Sequence, residues 1–343
     1  MKIFVAGATG ALGRVLVPQL VAGGHEVVGM TRTASKQDLV RGLGARPAVA
    51  DALDPDAVAR VVAEAEPEVI VHQLTALSGT IDMRHMDRSF AETNRLRTEG
   101  TDHLLAAGRA VGVRRFVAQS FAGWPSERTG GPVKREADPL DPSPPAALRP
   151  LVDALRHLEE AVTGAAWTEG IVLRYGGFYG PGTSLSLEPE GEHVAAIRRR
   201  KFPVVGSGAG MWSFIHIEDA ATATVAAIER GERGIYNVVD DEPAPVSVWL
   251  PVAADAFGAK PPRRVPRWLG RIMAGEAATV MMTEARGASN EKAKRELGWS
   301  PRYASWRQGF TEGTRHPAHS AGPSASEPPN PARSAEPSAS GLV

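Results

Sequence analysis

The 343-residue chain contains no cysteine. Disulfides, thiolate metal sites, iron–sulfur clusters and cysteine nucleophiles are therefore excluded, and a reducing compartment is the natural expectation. Aromatic residues make up only 6% of the sequence, and just four are tyrosines: Tyr175, Tyr179, Tyr236 and Tyr303. Phenol chemistry thus has few possible carriers. An excess of either charge is also missing: 39 Lys+Arg balance 39 Asp+Glu, so no global field draws nucleic acid or an anionic membrane. No apolar run reaches membrane-spanning length. A strand-like segment begins at Lys2, which leaves no room for a signal or transit peptide. The nine histidines are scattered, without a pair at helical metal spacing, so no metal site is expected. These absences predict a cytoplasmic protein whose partner is a small molecule.

What is present is 43% hydrophobic residue content, enough for a full core. Short β-rich runs alternate with helical spacing through the first half, the pattern of a parallel sheet covered by helices. Strands are predicted at Lys2–Ala6, Glu26–Met30, Val69–Leu74, Arg115–Gln119 and Gly170–Arg174. Helices are predicted at Ala11–Ala22, after Asp54-Pro55, over the long stretch Ser89–Ala110, and at Leu151–Val162. Proline, glycine and charge between Gly123 and Pro150 read as a long loop, and Trp212–Ile217 and Ile235–Val239 as later strands. From His316 to Val343 the text is Ser, Pro, Ala and Glu, the composition of a disordered tail. Arg198–Lys201 follows a helical segment and reads as a solvated helix end favoured by the dipole.

Gly7-Ala8-Thr9-Gly10-Ala11-Leu12-Gly13 lies between the first strand and the first helix. Glycines there allow a tight turn, close approach of backbone to a pyrophosphate, and close packing of helix on strand. The free N–H groups of the helix start then face the phosphates. Gly7, Thr9, Gly10, Ala11, Leu12 and Gly13 are accordingly the predicted phosphate turn of a dinucleotide site. After the second strand stands Arg32, with Lys36 beyond it, where an NAD site would place an acid. A guanidinium suits a 2′-phosphate, so NADP(H) is favoured over NAD(H).

With these segments the chain resembles the NAD(P)-dependent epimerase/dehydratases, the extended short-chain dehydrogenase/reductases. Further matching segments are Asp51-Ala52-Leu53-Asp54, Val71–Ala76, Gly100-Thr101, Gly112–Val117, Leu173–Tyr175, Tyr179–Gly182, Phe214–Ala221 and Lys294–Trp299. The resemblance implies a Rossmann-type, doubly wound parallel sheet with a smaller, interleaved C-terminal substrate lobe. Residues 1–170, joined by strand segments 171–175 and 212–239, would form the dinucleotide-binding domain. Residues 176–211 and 240–315 would form the substrate lobe, and 316–343 the tail. It also implies adenine contacts at Asp51 and Ala52, a nicotinamide-side segment at Leu74, Thr75 and Ala76, and, as in many relatives, a homodimer.

The resemblance fails at the chemistry. Relatives carry a tyrosine four residues before a lysine on the helix after the long loop, and a Ser or Thr after the fifth strand. Here no tyrosine is followed by lysine at that spacing; the helix offers Leu151/Leu155, Val152/Arg156 or, from the loop, Ala146/Pro150. Remaining catalytic candidates are Ser120, Tyr175, Tyr179 and Lys134, and Arg156 is a candidate for the ribose. Arg97 stands where relatives have asparagine. An arginine that relatives aim at a substrate diphosphate is replaced within Met211-Trp212-Ser213. Trp212 with Ser120, Trp124, Phe178 and Tyr179 then predicts an aromatic-lined pocket for a small uncharged substrate. The leading expectation is an atypical NADP(H)-dependent oxidoreductase acting on a carbonyl or hydroxyl compound. The alternatives are a redox-neutral epimerase or dehydratase on a non-nucleotide substrate, and a non-catalytic NADP(H) sensor or scaffold.

Overall fold

Lys2–Ala6 (β1) is apolar at successive positions and buried from Ile3 onward, as a strand covered on both faces must be. It pairs in parallel with Glu26–Thr31 (β2) on one side and Val69–His72 (β4) on the other. Arg46–Val49 (β3), Arg115–Phe121 (β5), Glu169–Tyr175 (β6) and Gly234–Val238 (β7) complete a seven-stranded sheet of order β7-β6-β5-β4-β1-β2-β3. Every pairing in it is parallel. In this computed structural model residues 1–77 and 82–314 are described; the tail expected at 316–343 lies outside them. None of the described helices is long and apolar enough to cross a membrane.

The strand order reverses between β1 and β4, opening the crevice in which ligands bind in doubly wound sheets. One face is covered by Ala11–Ala22 (α1) and the later helix Ile217–Arg230, the other by Pro55–Ala65 (α2), Glu99–Ala110 and Arg149–Gly164. Asp54 starts α2 by accepting the N–H groups of Asp56 and Ala57 at 3.1 and 3.0 Å, with Pro55 at the first position. The single helix expected over Ser89–Ala110 is broken. Ala91–Arg97 (α3) and Glu99–Ala110 (α4) meet at Thr98, whose ψ of −84 interrupts the ladder. Arg149–Gly164 (α5) is the helix expected after the loop, and Ile217–Arg230 is α6. The segment expected as one strand over Trp212–Ile217 is two short ones, Met211–Trp212 and Phe214–His216, with α6 beginning at Ile217. Beyond the sheet, Tyr179, Phe214, Trp249, Trp306 and Phe310 build a separate aromatic core with Val246–Ala256 (α7).

Candidate dinucleotide and substrate site

The turn between β1 and α1 has no room for side chains. Gly7 has φ +97, and a Cβ there would meet the Gln73 carbonyl oxygen at 2.7 Å. At Gly13 a Cβ would lie 2.3 Å from the Gly7 oxygen. Gly10 precedes α1 without any side-chain cap, so the first-turn N–H groups are left for a ligand. Thr9 braces the turn through its carbonyl, which accepts from Arg14 Nε at 3.0 Å; Leu12 is buried and Ala11 exposed. Among the described residues, two buried polar atoms near these strand ends lack partners, Thr31 Oγ1 at the end of β2 and Gln73 Oε1 after β4. A nucleotide in the crevice would meet such groups, so the residues present fit a dinucleotide.

On the β2–β3 side, Arg32 forms an ion pair with Glu92 of α3, and both are exposed. Lys36 is exposed nearby. Asp51 shapes its turn by accepting the Leu53 N–H at 3.0 Å, while the Ala52 carbonyl accepts from His103 at 2.9 Å. On the β4 side, Leu74 donates its N–H to His72 Nδ1 at 3.2 Å, and Ala76 donates to Thr93 Oγ1 at 3.0 Å. Thr75 stays exposed.

The catalytic candidates are dispersed rather than assembled. Ser120 shares the strand parity of Phe116 and Ala118 and is fully buried. Its hydroxyl donates to Glu159 Oε1 at 2.6 Å in the layer between β5 and α5, turned away from any substrate. Tyr175 is equally sealed, its hydroxyl 2.6 Å from Thr224 Oγ1 and 3.4 Å from Gln73 Nε2. Burial pushes that phenol well above the usual tyrosine range. Tyr179 lies in the separate aromatic core against Phe310 and His216, its hydroxyl buried without a partner among the described residues. Lys134 is buried, donating to the Thr129 carbonyl at 2.7 Å, and so props up its own loop. Arg156 is tied to Asp153 of its own helix at 2.7 Å and reaches the Asp141 carbonyl of the loop at 3.4 Å.

The expected aromatic pocket is half realised. Trp124 packs on Phe121 with ring centroids 5.1 Å apart and planes tilted by 53°, and both pack with Trp212 in one cluster. Phe178 instead packs on Tyr175 beneath the sheet, and Tyr179 belongs to the separate aromatic core, because successive residues of one short strand face opposite ways. What joins Phe121 and Trp124 is apolar: Leu151 and Leu155, one turn apart on α5, with Met281 of the helix Arg267–Thr283. Their signal in the sequence is the Leu151, Leu155, Leu158, Val162 spacing of a buried helix face.

Sequence reasoning missed the charge network under this surface. Arg174 of β6 donates to both Glu159 oxygens, at 2.8 and 2.7 Å, while Ser120 holds the first. His72 at the end of β4 lies 3.1 Å from Thr101 Oγ1, which itself donates to the Arg97 carbonyl, so His72 Nε2 carries the proton and donates. Burial, helped by nearby Arg97, pulls the His72 imidazole down to about 4. Between that value and the unfolded pKa near 6.5, the unfolded chain binds the extra proton. This contribution to stability is therefore complete above the unfolded pKa and is lost as pH falls toward 4, by about 3 kcal/mol in all. Denaturant melts at pH 7 and pH 4.5 should show that loss, and His72→Asn should flatten the pH slope.

The glycine turn, the crevice at the reversal of strand order and the unpartnered polar atoms around it define a nicotinamide-dinucleotide-binding doubly wound protein. The chain belongs to the NAD dependent epimerase/dehydratase family, whose model matches residues 3–239. It is similar to a 3-diazoavenalumate denitrifying reductase of a Streptomyces species, 45% identical over 90% of this chain and 99% of the relative. A ketoreductase of Stigmatella aurantiaca that acts on a farnesylated 3-oxo-dihydroquinoline-1-oxide is 26% identical over 88% of this chain and 92% of its own. Among solved structures, UDP-glucose 4-epimerase of Thermus thermophilus in complex with NAD has a TM-score of 0.68 and 24% identity, covering 92% of this chain and 98% of that one. The protein is an enzyme of the NAD(P)-dependent reductase and epimerase class.

Proposed function

We propose that this enzyme is an NADP(H)-preferring reductase that replaces the diazo group of a flat aromatic compound with hydrogen, releasing dinitrogen. The observation that carries this reading is the apolar cluster of half-buried Phe121 on the buried Leu151 and Leu155, which presents hydrocarbon and no proton-transfer group. Reduction of a carbonyl must deliver a proton to oxygen, and epimerisation must move one; Ser120, Tyr175 and Tyr179 are all sealed from that task. An aryl diazonium needs neither. Its carbon–nitrogen bond breaks, hydride brings two electrons, and the balance is ArN₂⁺ + H⁻ → ArH + N₂. The nicotinamide cofactor, when bound, supplies the hydride. Phe121 and Trp124 offer faces for stacking, and the leucines exclude water that would compete for the electrophile. The 45%-identical relative, named for denitrifying a diazo compound, supports the same reading.

The test is a purified-protein assay with a diazotised aminophenol and NADPH. One NADPH should be oxidised per molecule of dinitrogen lost, and deuterium from the labelled cofactor should appear on the ring carbon of the product. Oxidation driven by ketones, with none by diazo compounds, would return the enzyme to carbonyl chemistry. For the cofactor, Arg32→Ala should weaken NADPH binding about tenfold or more by removing the cation for a 2′-phosphate, leaving NADH binding within about twofold. Glu92→Gln should act in the opposite direction, because the carboxylate competes for the same guanidinium. Nicotinamide fluorescence titrations read both.

A further inference from the structure

Arg97 is 3% exposed, and its Nε and Nη1 are buried without a hydrogen-bond partner among the described residues. A guanidinium left in that condition is costly, because water has been removed and nothing replaces it. Glu159 is the acid near enough to favour its charge. That carboxylate is already held by both nitrogens of Arg174 and by Ser120, so it does not neutralise a second guanidinium.

Its neighbours fix the direction in which Arg97 looks. Thr93, one turn before it, accepts the N–H of Ala76; Thr101, one turn after, meets His72. Thr93, Arg97 and Thr101 therefore form one buried stripe facing the segment His72–Ala76, where Gln73 Oε1 also lacks a partner among the described residues. That segment leaves the carboxyl end of β4, beside the glycine turn that touches Gln73. In a doubly wound sheet the two halves of a dinucleotide lie on either side of the strand-order reversal. Arg32 and Asp51 stand on the β2–β3 side, so the β4–β5 side takes the nicotinamide half. The helix α5 provides no cation there: Leu155 is apolar and Arg156 is tied to Asp153.

We propose that Arg97 is a cofactor-binding residue, whose unpaired N–H groups donate to the hydroxyl oxygens of the nicotinamide ribose. The site takes a ribosylated diphosphate, and its selectivity is for the second sugar rather than for the phosphates.

The experiment uses the full chain, with Arg97→Met and Arg97→Gln, titrated with NADPH and NADH by fluorescence. ADP-ribose and ADP, or their 2′-phosphorylated forms, are then measured as competitors. Loss of a charge-assisted hydrogen bond should weaken NADPH and ADP-ribose about tenfold or more while ADP stays within about twofold. The ligand-free Arg97→Met chain should melt no lower than wild type, since it loses an unpaired buried charge. Equal weakening of ADP and ADP-ribose, or no change in either, would overturn the assignment. If Arg97→Met does not fold, Arg97→Gln must still show the selective loss. These titrations involve no substrate, so they stand or fall separately from the diazo assay.

Discussion

Glu159→Ala is expected to lower stability by about 3–5 kcal/mol, the range typical of breaking one side of a buried ion pair. The carboxylate receives two hydrogen bonds from Arg174 and one from Ser120, and neither charged side chain is more than 6% exposed. Alanine would leave Arg174 buried with no anion, and Arg97 would lose the charge that favours it. Ser120→Ala, by contrast, removes one neutral donor and should cost about 1 kcal/mol. If the large loss comes from an abandoned cation rather than from lost volume, Glu159→Leu combined with Arg174→Leu should recover much of it. Denaturant melts of the four proteins would decide this. A Glu159→Ala loss of under about 1 kcal/mol would mean that water reaches the network and that the layer between β5 and α5 is less tightly closed than its packing implies.

Gly13→Ala is expected to weaken dinucleotide binding on the order of 10²-fold, the cost of displacing a binding element by about 1 Å. The added methyl would sit 2.3 Å from the Gly7 oxygen and 2.7 Å from the Ala8 carbonyl, both backbone groups with no freedom to rotate aside. The start of α1 must therefore move off the turn, and its N–H groups with it. A control separates this from general strain. Gly112 is left-handed, at φ +73, and a Cβ there meets nothing within 4 Å. Gly112→Ala should cost about 1 kcal/mol of stability through its backbone alone and leave binding unchanged. NADPH titration beside thermal melts reads both variants, and normal binding by Gly13→Ala would remove the turn from the cofactor site.

The sheet and the glycine turn were legible because each is written in local text. An apolar run bounded by Gly7, a helical spacing after Gly13 and a cap at Asp54 need no distant partner to be recognised. The break at Thr98 was not legible, since Ser89–Ala110 has helical spacing throughout. At the site, the missing tyrosine–lysine pair was plain, yet Ser120 was misjudged. Its position near the end of β5 suggested access, whereas strand parity turns it under the sheet and leaves Phe121 at the edge. Arg174 inside an apolar strand and Glu159 on a leucine-rich helix face were the available clues to the buried pair. Each looked ordinary alone, because an ion pair between elements shows itself only when both are in place.

For the proposed substrate, the wall of Phe121, Leu151 and Leu155 also has a protective consequence. Aryl diazonium ions couple irreversibly to phenols, imidazoles, amines and thiols. The chain has no thiol at all, and Tyr175, Tyr179 and Lys134 are buried away from that wall. A surface of hydrocarbon beside the reacting group gives such an electrophile nothing to label. On that reading, the groups that would serve as acid and base for a ketone would be targets, and their absence would spare the enzyme during turnover of a reagent that modifies ordinary proteins.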